Sequence, residues 1–361
     1  MRLLAALLLL LAAGGAASAP LWLGGLTTWD SGFFPGVNPD GPQWLDEATL
    51  VYRGDLLAKP EAEEGSFPYR ERIVIWHLGD RPRAIDDGRW DKAQHGFLCA
   101  ADGEIAYSVG FDTDARGGKR MLLASGPPDH LTEHPAPLPD PGLEVSGLAP
   151  EGRIVGLAAN CEPDTDAAMK GHRWATDAAG AWRIDFGTAT REEGEQEIRL
   201  ESRTRRGLSH VIPLRSDEVD PACTQFASFS GLFYFADCHP SHRGDFTDCL
   251  TVWTLDPKTA QLRSTCIRRE PDFDQSLEIL PTRKGLAFAL RPPPEPEEMD
   301  SVAGLYLVTS GGNRRLFGGY PGRIAVSPSG CRLGFAYAAT PEAATPWRPG
   351  RYTMVAVDLC R

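Results

Sequence analysis

The densest group of chemistry-bearing side chains is Asp237-Cys-His239-Pro-Ser-His242-Arg-Gly-Asp245-Phe-Thr-Asp248-Cys249, which holds two histidines, three aspartates and two cysteines. Imidazole and carboxylate together bind divalent metals, and a cysteine at each end would restrain the segment. His-x-x-His on an irregular loop fixes no coordination geometry, however, so no metal ligand and no cofactor is assigned. His130-Leu-Thr-Glu133-His134 has the i, i+4 histidine spacing of a helical metal site. Pro135, Pro137, Pro139 and Pro141 follow it, and a long helix is not expected there. Carboxylates gather in four further stretches: Glu61, Glu63 and Glu64; Asp112 and Asp114; Glu162, Asp164 and Asp166; and Glu295, Glu297, Glu298 and Asp300. A face built from them would attract cations or basic partners, or simply keep the chain soluble.

Other reactive patterns are missing. There is no Gly-x-Ser-x-Gly elbow, no Gly-rich phosphate loop and no dinucleotide fingerprint, and no second domain is expected to follow to hold a hydrolase triad. Catalytic residues are therefore left unknown. The net charge of −12 argues against nucleic acid as a partner. Arg203-Thr-Arg-Arg-Gly207 is too small a basic patch to reverse that and reads as a solvated hairpin turn, while Arg291-Pro-Pro-Pro-Glu-Pro-Glu-Glu298 reads as an extended spacer.

Met1–Ala19 has one basic residue, an apolar stretch from Leu3 to Ala13 and a small-residue tail, the make-up of a secretory signal. A stretch of that length is too short to span a bilayer, which takes roughly 20 residues, and no membrane span is expected elsewhere. A periplasmic or secreted monomer follows as the expectation. The eight cysteines, Cys99, Cys161, Cys223, Cys238, Cys249, Cys266, Cys331 and Cys360, include no Cys-x-x-Cys pair. In an exported chain they read as disulfides rather than as zinc ligands or redox thiols.

The elements that would carry these residues are short strands. Hairpin windows with a tight glycine turn recur at Gly103, Gly152, Gly231, Gly285 and Gly330, spaced 49, 79, 54 and 45 residues, with a degenerate earlier copy over Trp44–Tyr52. Third or fourth strands follow at Arg72–His77, Lys119–Ala124, Leu250–Leu255, Gln261–Ile267, Gly304–Val308, Arg314–Phe317 and Tyr352–Asp358, all rich in β-branched and aromatic residues. Four strands about every 50 residues predict an all-β, disulfide-stabilised β-propeller. Six blades are expected, the 79-residue spacing holding one blade with an inserted hairpin around Trp174–Phe186; seven is the alternative if that spacing hides a degenerate blade. Residues 43–361 form the propeller, and the segment 20–42, through Leu21–Trp29, supplies the strand that completes the last blade.

The turn Val326-Ser-Pro-Ser-Gly-Cys-Arg-Leu-Gly-Phe335 and the hairpin Leu255-Asp-Pro-Lys-Thr-Ala-Gln261 resemble the repeats of TolB-like and WD40-like periplasmic β-propellers. That resemblance implies a propeller and a binding or scaffolding role, with no catalytic residue to carry over. The regular turn Asp is absent here, and residues 20–42 leave no room for the N-terminal domain of TolB proper, so no role in the Tol system is transferred. The expected function is thus an exported binding or scaffolding protein whose ligand face is formed by long acidic loops. The alternative is a propeller hydrolase or lyase with a metal ion at the channel mouth.

Hairpin symmetry suggests the cysteine pairing. Cys223 and Cys238 flank Ser230-Gly231 evenly, Cys249 and Cys266 flank Pro257-Lys258, and Cys331 and Cys360 flank the loop Ala339–Gly350. Cys99 and Cys161 remain for each other. An exchange among the middle four, for example Cys238 with Cys249, stays open.

Overall fold

The computed structural model describes residues 23–33, 41–54, 72–85, 98–101, 103–113, 119–135, 173–176, 182–186, 195–202, 204–215, 225–236, 249–268, 277–290, 303–339 and 352–361. They form strands and turns, with no helix among the described residues, and so none long and apolar enough to cross a membrane.

The strands make six four-stranded antiparallel sheets. A first strand, β1 (Thr27–Asp30), precedes sheet one, which contains β2 (Gln43–Trp44), β3 (Thr49–Gly54), β4 (Arg72–His77) and β5 (Arg83–Ile85). Sheet two is β6 (Leu98–Ala101), β7 (Glu104–Thr113), β8 (Lys119–Gly126) and β9 (Thr132–Pro135). Sheet three is β10 (Arg173–Thr176), β11 (Trp182–Phe186), β12 (Glu195–Ser202) and β13 (Ser209–Arg215). Sheet four is β14 (Gln225–Phe229), β15 (Leu232–Ala236), β16 (Cys249–Asp256) and β17 (Gln261–Arg268). Sheet five is β18 (Leu277–Thr282), β19 (Gly285–Leu290), β20 (Gly304–Thr309) and β21 (Gly312–Gly318). Sheet six takes β22 (Tyr320–Val326), β23 (Arg332–Ala338) and β24 (Thr353–Asp358) from the end of the chain and β1 from its beginning, with Thr27 opposite Asp358 and Asp30 opposite Val355.

Alternation along each strand sends successive side chains to opposite faces, and in these sheets both faces are apolar. Sheet one turns Leu50, Tyr52, Val74 and Trp76 toward Ala336, Met354 and Ala356 of sheet six. Its other face, with Val51, Ile73 and Ile75, meets Ile105 and Tyr107 of sheet two. Ile184, Ile198 and Leu200 of sheet three pack on Phe233, Phe235 and Trp253 of sheet four. The opposite face of sheet four, with Val252 and Ile267, packs on Ile279 and Phe288 of sheet five. Sheet five in turn sends Ala287, Leu305 and Phe317 against Leu333, Phe335 and Val357 of sheet six. Sheets one and two, three and four, four and five, five and six, and six and one therefore bury each other face to face, the stacking seen between the blades of a β-propeller.

The turns between first and second strands touch in the same order. Gly103 N–H donates to Leu45 O (3.0 Å) between sheets two and one, and Ser329 Oγ donates to Glu47 Oε2 (2.7 Å) between sheets six and one. Arg283 N–H of sheet five donates to Gly330 O (3.0 Å) of sheet six. Gly330 has φ +73°, and the Phe229 ring of sheet four occupies the space a side chain would need there, so glycine is required on both counts.

Several expectations need correcting. Trp174–Phe186 is not an inserted hairpin: β10 and β11 open sheet three, and the window at Gly152 lies outside the described residues. Gly110–Thr113 is not loop, because β7 bulges between Ser108 and Gly110 and continues to Thr113, placing Asp112 opposite Arg120. The β16–β17 turn holds four residues, with Ala260 at φ 56°, so Cys249 faces Arg268 and Cys266 faces Thr251, two residues out of the assumed register. By contrast, Ser230-Gly231 is the two-residue turn expected, with Gln225 opposite Ala236, although Cys223 and Cys238 lie outside the described residues. Met1–Ala19 lies outside them too.

The Cys331–Cys360 disulfide is present, with Cα atoms 5.3 Å apart. Here too the register differs by one: Arg332 pairs with Asp358, and Leu359 N–H donates to Cys331 O (2.8 Å). The bond forms because the chain leaves the ladder after Asp358, whose Oδ1 accepts from Cys360 N–H (2.8 Å) and Arg361 N–H (3.2 Å). Cys99 is also disulfide-bonded, and Cys161, its expected partner, lies outside the described residues.

Candidate functional site

In an antiparallel sheet successive connections alternate between its two ends. At one end lie the first-to-second and third-to-fourth connections, which are tight: residues 45–48, 78–82, 127–131, 230–231, 257–260, 283–284, 310–311 and 327–331. From the other end depart the second-to-third and sheet-to-sheet connections, among them residues 55–71, 86–97, 136–172, 187–194, 237–248, 291–303 and 339–352. In sequence the His239–His242 cluster and, apart from Asp112, every carboxylate of the four acidic stretches named above fall within such connections, and all of them lie outside the described residues.

The described part of that end, where sheets six and one meet, is a buried polar group. Asp30 Oδ1 accepts from Gly32 N–H (2.8 Å) and from Thr353 Oγ1, while Ser31 N–H donates to Met354 O (2.9 Å). Ser31 and Thr353 are both buried. Beside them the Tyr52 hydroxyl is buried with no hydrogen-bond partner among the described residues. Burial pushes its acidity far down, so the phenol stays neutral; the nearby Asp30 charge adds to this and the Ser31 hydroxyl works against it. Burial likewise pushes the pKa of Tyr352 up to about 12. One rung further out, Gly54 pairs with Arg72, and the Arg72 Nε is buried without a partner among the described residues. Nothing in the sequence flagged Tyr52, Arg72 or Thr353, since the contacts cross nearly the whole chain. Only Asp30-Ser31-Gly32 carries a local signal, an Asp side chain capping its own turn.

The other sequence candidates separate. His130 sits exposed in the 127–131 turn and His134 lies in β9, so the two do not share a helix face. His134 instead joins Ser125 through Nε2 at 2.6 Å. The Arg203–Gly207 stretch forms the β12–β13 turn at the tight end, with Gly207 at φ +79°. Among the described residues no set of three His, Cys, Asp or Glu side chains is arranged to hold a metal.

No family model and no curated protein matches this sequence. Solved structures do. The Penicillium chrysogenum α-L-arabinanase is 13% identical over 92% of this chain and 98% of its own, with a TM-score of 0.41. Prolyl oligopeptidase B from Galerina marginata is 11% identical over 92% of this chain and 53% of its own (TM-score 0.45). The β-propeller domain of the Trilobed protease from Pyrococcus furiosus is 11% identical over 84% and 78% (TM-score 0.31). The chain is a β-propeller. It spans less than half the length of the acylaminoacyl and prolyl peptidases it matches first. The structures named here are an arabinanase, an oligopeptidase and the propeller domain of a protease, so the expected binding or scaffolding protein gives way to its hydrolase alternative, which is taken up below as a proposal.

Proposed function

We propose that the chain is an exported hydrolase, a six-bladed propeller closed by β1 against β24, acting at the end where the long connections depart. The observation that carries this reading is the one-ended distribution of chemistry. In sequence Glu61–Glu64, the His239–Asp248 cluster and Glu295–Asp300 fall between second and third strands, and Glu162–Asp166 between two sheets; the flanking strand ends face the end where the buried Tyr52 and Arg72 groups lie. Binding and catalytic groups gather on connections held by a rigid scaffold. Carboxylates and histidines can act as acid and base on a scissile bond, or hold a divalent ion at the channel mouth, and neither route needs a serine elbow. The pairing of β1 with β24, with Leu359 and Leu23 in one core, supports the closed ring. The Cys331–Cys360 bond supports an oxidising compartment, with Cys99–Cys161 and Cys223–Cys238 as further bridges. The Ser327–Gly330 turn, closed by Gly330 N–H to Ser327 O (2.8 Å), supports kinship with TolB-like repeats.

The test is turnover of aryl glycosides, arabino-oligosaccharides and peptide anilides by purified protein, with and without chelator, together with metal analysis. Cleavage that falls at least about 10²-fold on neutralising His239, Asp245 and Asp248 or Glu295, Glu297 and Glu298 is expected. No turnover of any of these, or turnover indifferent to both sets of variants, overturns the reading.

A further inference from the structure

We propose a second reactive site, at the tight-turn end of sheet two, in which Ser125 is a nucleophile activated by His134 toward small activated esters. It lies at the opposite end of the sheets from the hydrolytic site proposed above and does not depend on it.

The pairing of β8 with β9 sets Leu123 opposite His134 and Ser125 opposite Thr132, so Ser125 and His134 are diagonal neighbours on one face. His134 Nε2 stands 2.6 Å from Ser125 Oγ, and His134 Nδ1 stands 3.1 Å from Pro135 O. A carbonyl oxygen only accepts, so Nδ1 carries the ring proton and donates it to Pro135 O. Nε2 of the neutral ring is then the acceptor, and the Ser125 hydroxyl donates to it. Nucleophile, base and the group that orients the base are thus in hydrogen-bonded series. Both side chains are only half-buried, so a small ester can reach them. The strands are pinned around the pair: Thr132 Oγ1 donates to Ser125 O (3.3 Å), and His130 N–H donates to Pro127 O (2.8 Å) to close the turn. Gly126, at φ +130°, turns the backbone immediately after the nucleophile, where a Cβ would meet His130 O at 2.7 Å.

In the reaction the Ser125 Oγ–acyl carbon bond forms and the ester C–O bond breaks. The hydroxyl proton passes to His134 Nε2 and then to the departing alkoxide, leaving acyl-Ser125 and an alcohol. Water attacks by the reverse path and releases the carboxylic acid. No oxyanion donor is assigned, and loss of one such donor elsewhere costs about 10²–10³ in rate. Acylation and deacylation are both slow on that account, but a good leaving group such as p-nitrophenolate speeds the first step alone, so with an activated ester the acyl-enzyme accumulates.

The full chain is incubated with p-nitrophenyl acetate, and separately with an alkyl fluorophosphonate, then read by intact mass and peptide mapping. One adduct per chain on the peptide containing Ser125 is expected, with none there in Ser125→Ala. In His134→Gln, which keeps a hydrogen-bonding side chain but removes the base, labelling slows by about 10²-fold or more. Adducts confined to other residues of the unaltered protein, or His134→Gln labelled at the unaltered rate, overturn the proposal. Mapping on the unaltered chain decides the first point even if a variant fails to fold.

Discussion

Sheet six has two neighbours and holds them by different means. Toward sheet five, reached through the single residue Gly319, the contact is aromatic: Phe317 stacks on Phe335 with ring centroids 5.4 Å apart, and Tyr337 meets both edge-on. Toward sheet one, which begins the main run of sheets, small residues face large ones: Ala336, Ala338 and Ala356 against Trp44, Tyr52 and Trp76. Leu50 nests so closely on Gly334 that an added Cβ would fall 2.6 Å from its Cδ2. Directional bonds then cross the boundary: Trp44 Nε1–H donates to Ala325 O (3.0 Å), Ser329 Oγ to Glu47 Oε2, and Arg332 Nη1 to Glu47 O. Arg332 also lies over the Trp29 ring at 5.4 Å and pairs with Asp358 at 3.5 Å. Hydrogen bonds cross to sheet five as well, Arg283 N–H to Gly330 O and Tyr337 O–H to Gly318 O (2.9 Å), but there the aromatic stack and a one-residue link already hold the two sheets in register. Where the beginning of the chain must find its end, hydrogen bonds specify which surfaces meet.

The contrast can be broken from either side. The largest effect is expected from Phe335→Ala, which empties the aromatic contact and should lower unfolding free energy by about 3–5 kcal/mol in urea titration. Replacing Cys331 and Cys360 by Ser opens a loop of sequence separation 29 and should cost about 3–4 kcal/mol in the chain-entropy model, read by the same titration in oxidised protein. Unchanged stability in that variant would show that β1 and β24 hold the chain ends without the bond. Glu47→Ala leaves Ser329 short of its acceptor and should cost about 1–3 kcal/mol, with β1 amides exchanging faster than those of β19.

The smallest effect is a pH dependence confined to the boundary between sheets six and one. Tyr52 and Tyr352 have their pKa values raised by burial, Tyr352 to about 12, against about 10 in the unfolded chain. A raised value means their contribution is complete below about pH 10 and is lost as pH climbs toward 12. Melting temperature should fall across that interval, and less steeply in Tyr352→Phe.

What the sequence disclosed was local. Windows such as Leu280–Phe288 show alternation and a glycine turn within ten residues, and they became β18 and β19. Ser230-Gly231 fixed its hairpin register, since both residues take positive φ and leave no freedom in loop length. Pro257 misled because the turn also absorbs Thr259 and Ala260, with Asp256 capping Lys258 N–H (2.9 Å) and Thr259 Oγ1 (2.9 Å), and length in a turn is set by such bonds rather than by proline alone. The Trp174–Phe186 hairpin was legible as strands but not as a blade opening, for its Gly180 lies only 28 residues after Gly152 and the repeat could be counted from either. At the candidate site, acidic and histidine-rich stretches were visible as composition. Tyr52 and Asp30 were not, since a buried phenol in strand β3 reads as core until the other strand arrives beside it.

The first and last strands of the described fold lie side by side, Thr27 across from Asp358. The chain is in this sense a closed circuit with an arbitrary starting point. A short linker between the two, with new termini cut into the 291–303 connection, should yield a circular permutant carrying the same six sheets, its opening moved to sheet five.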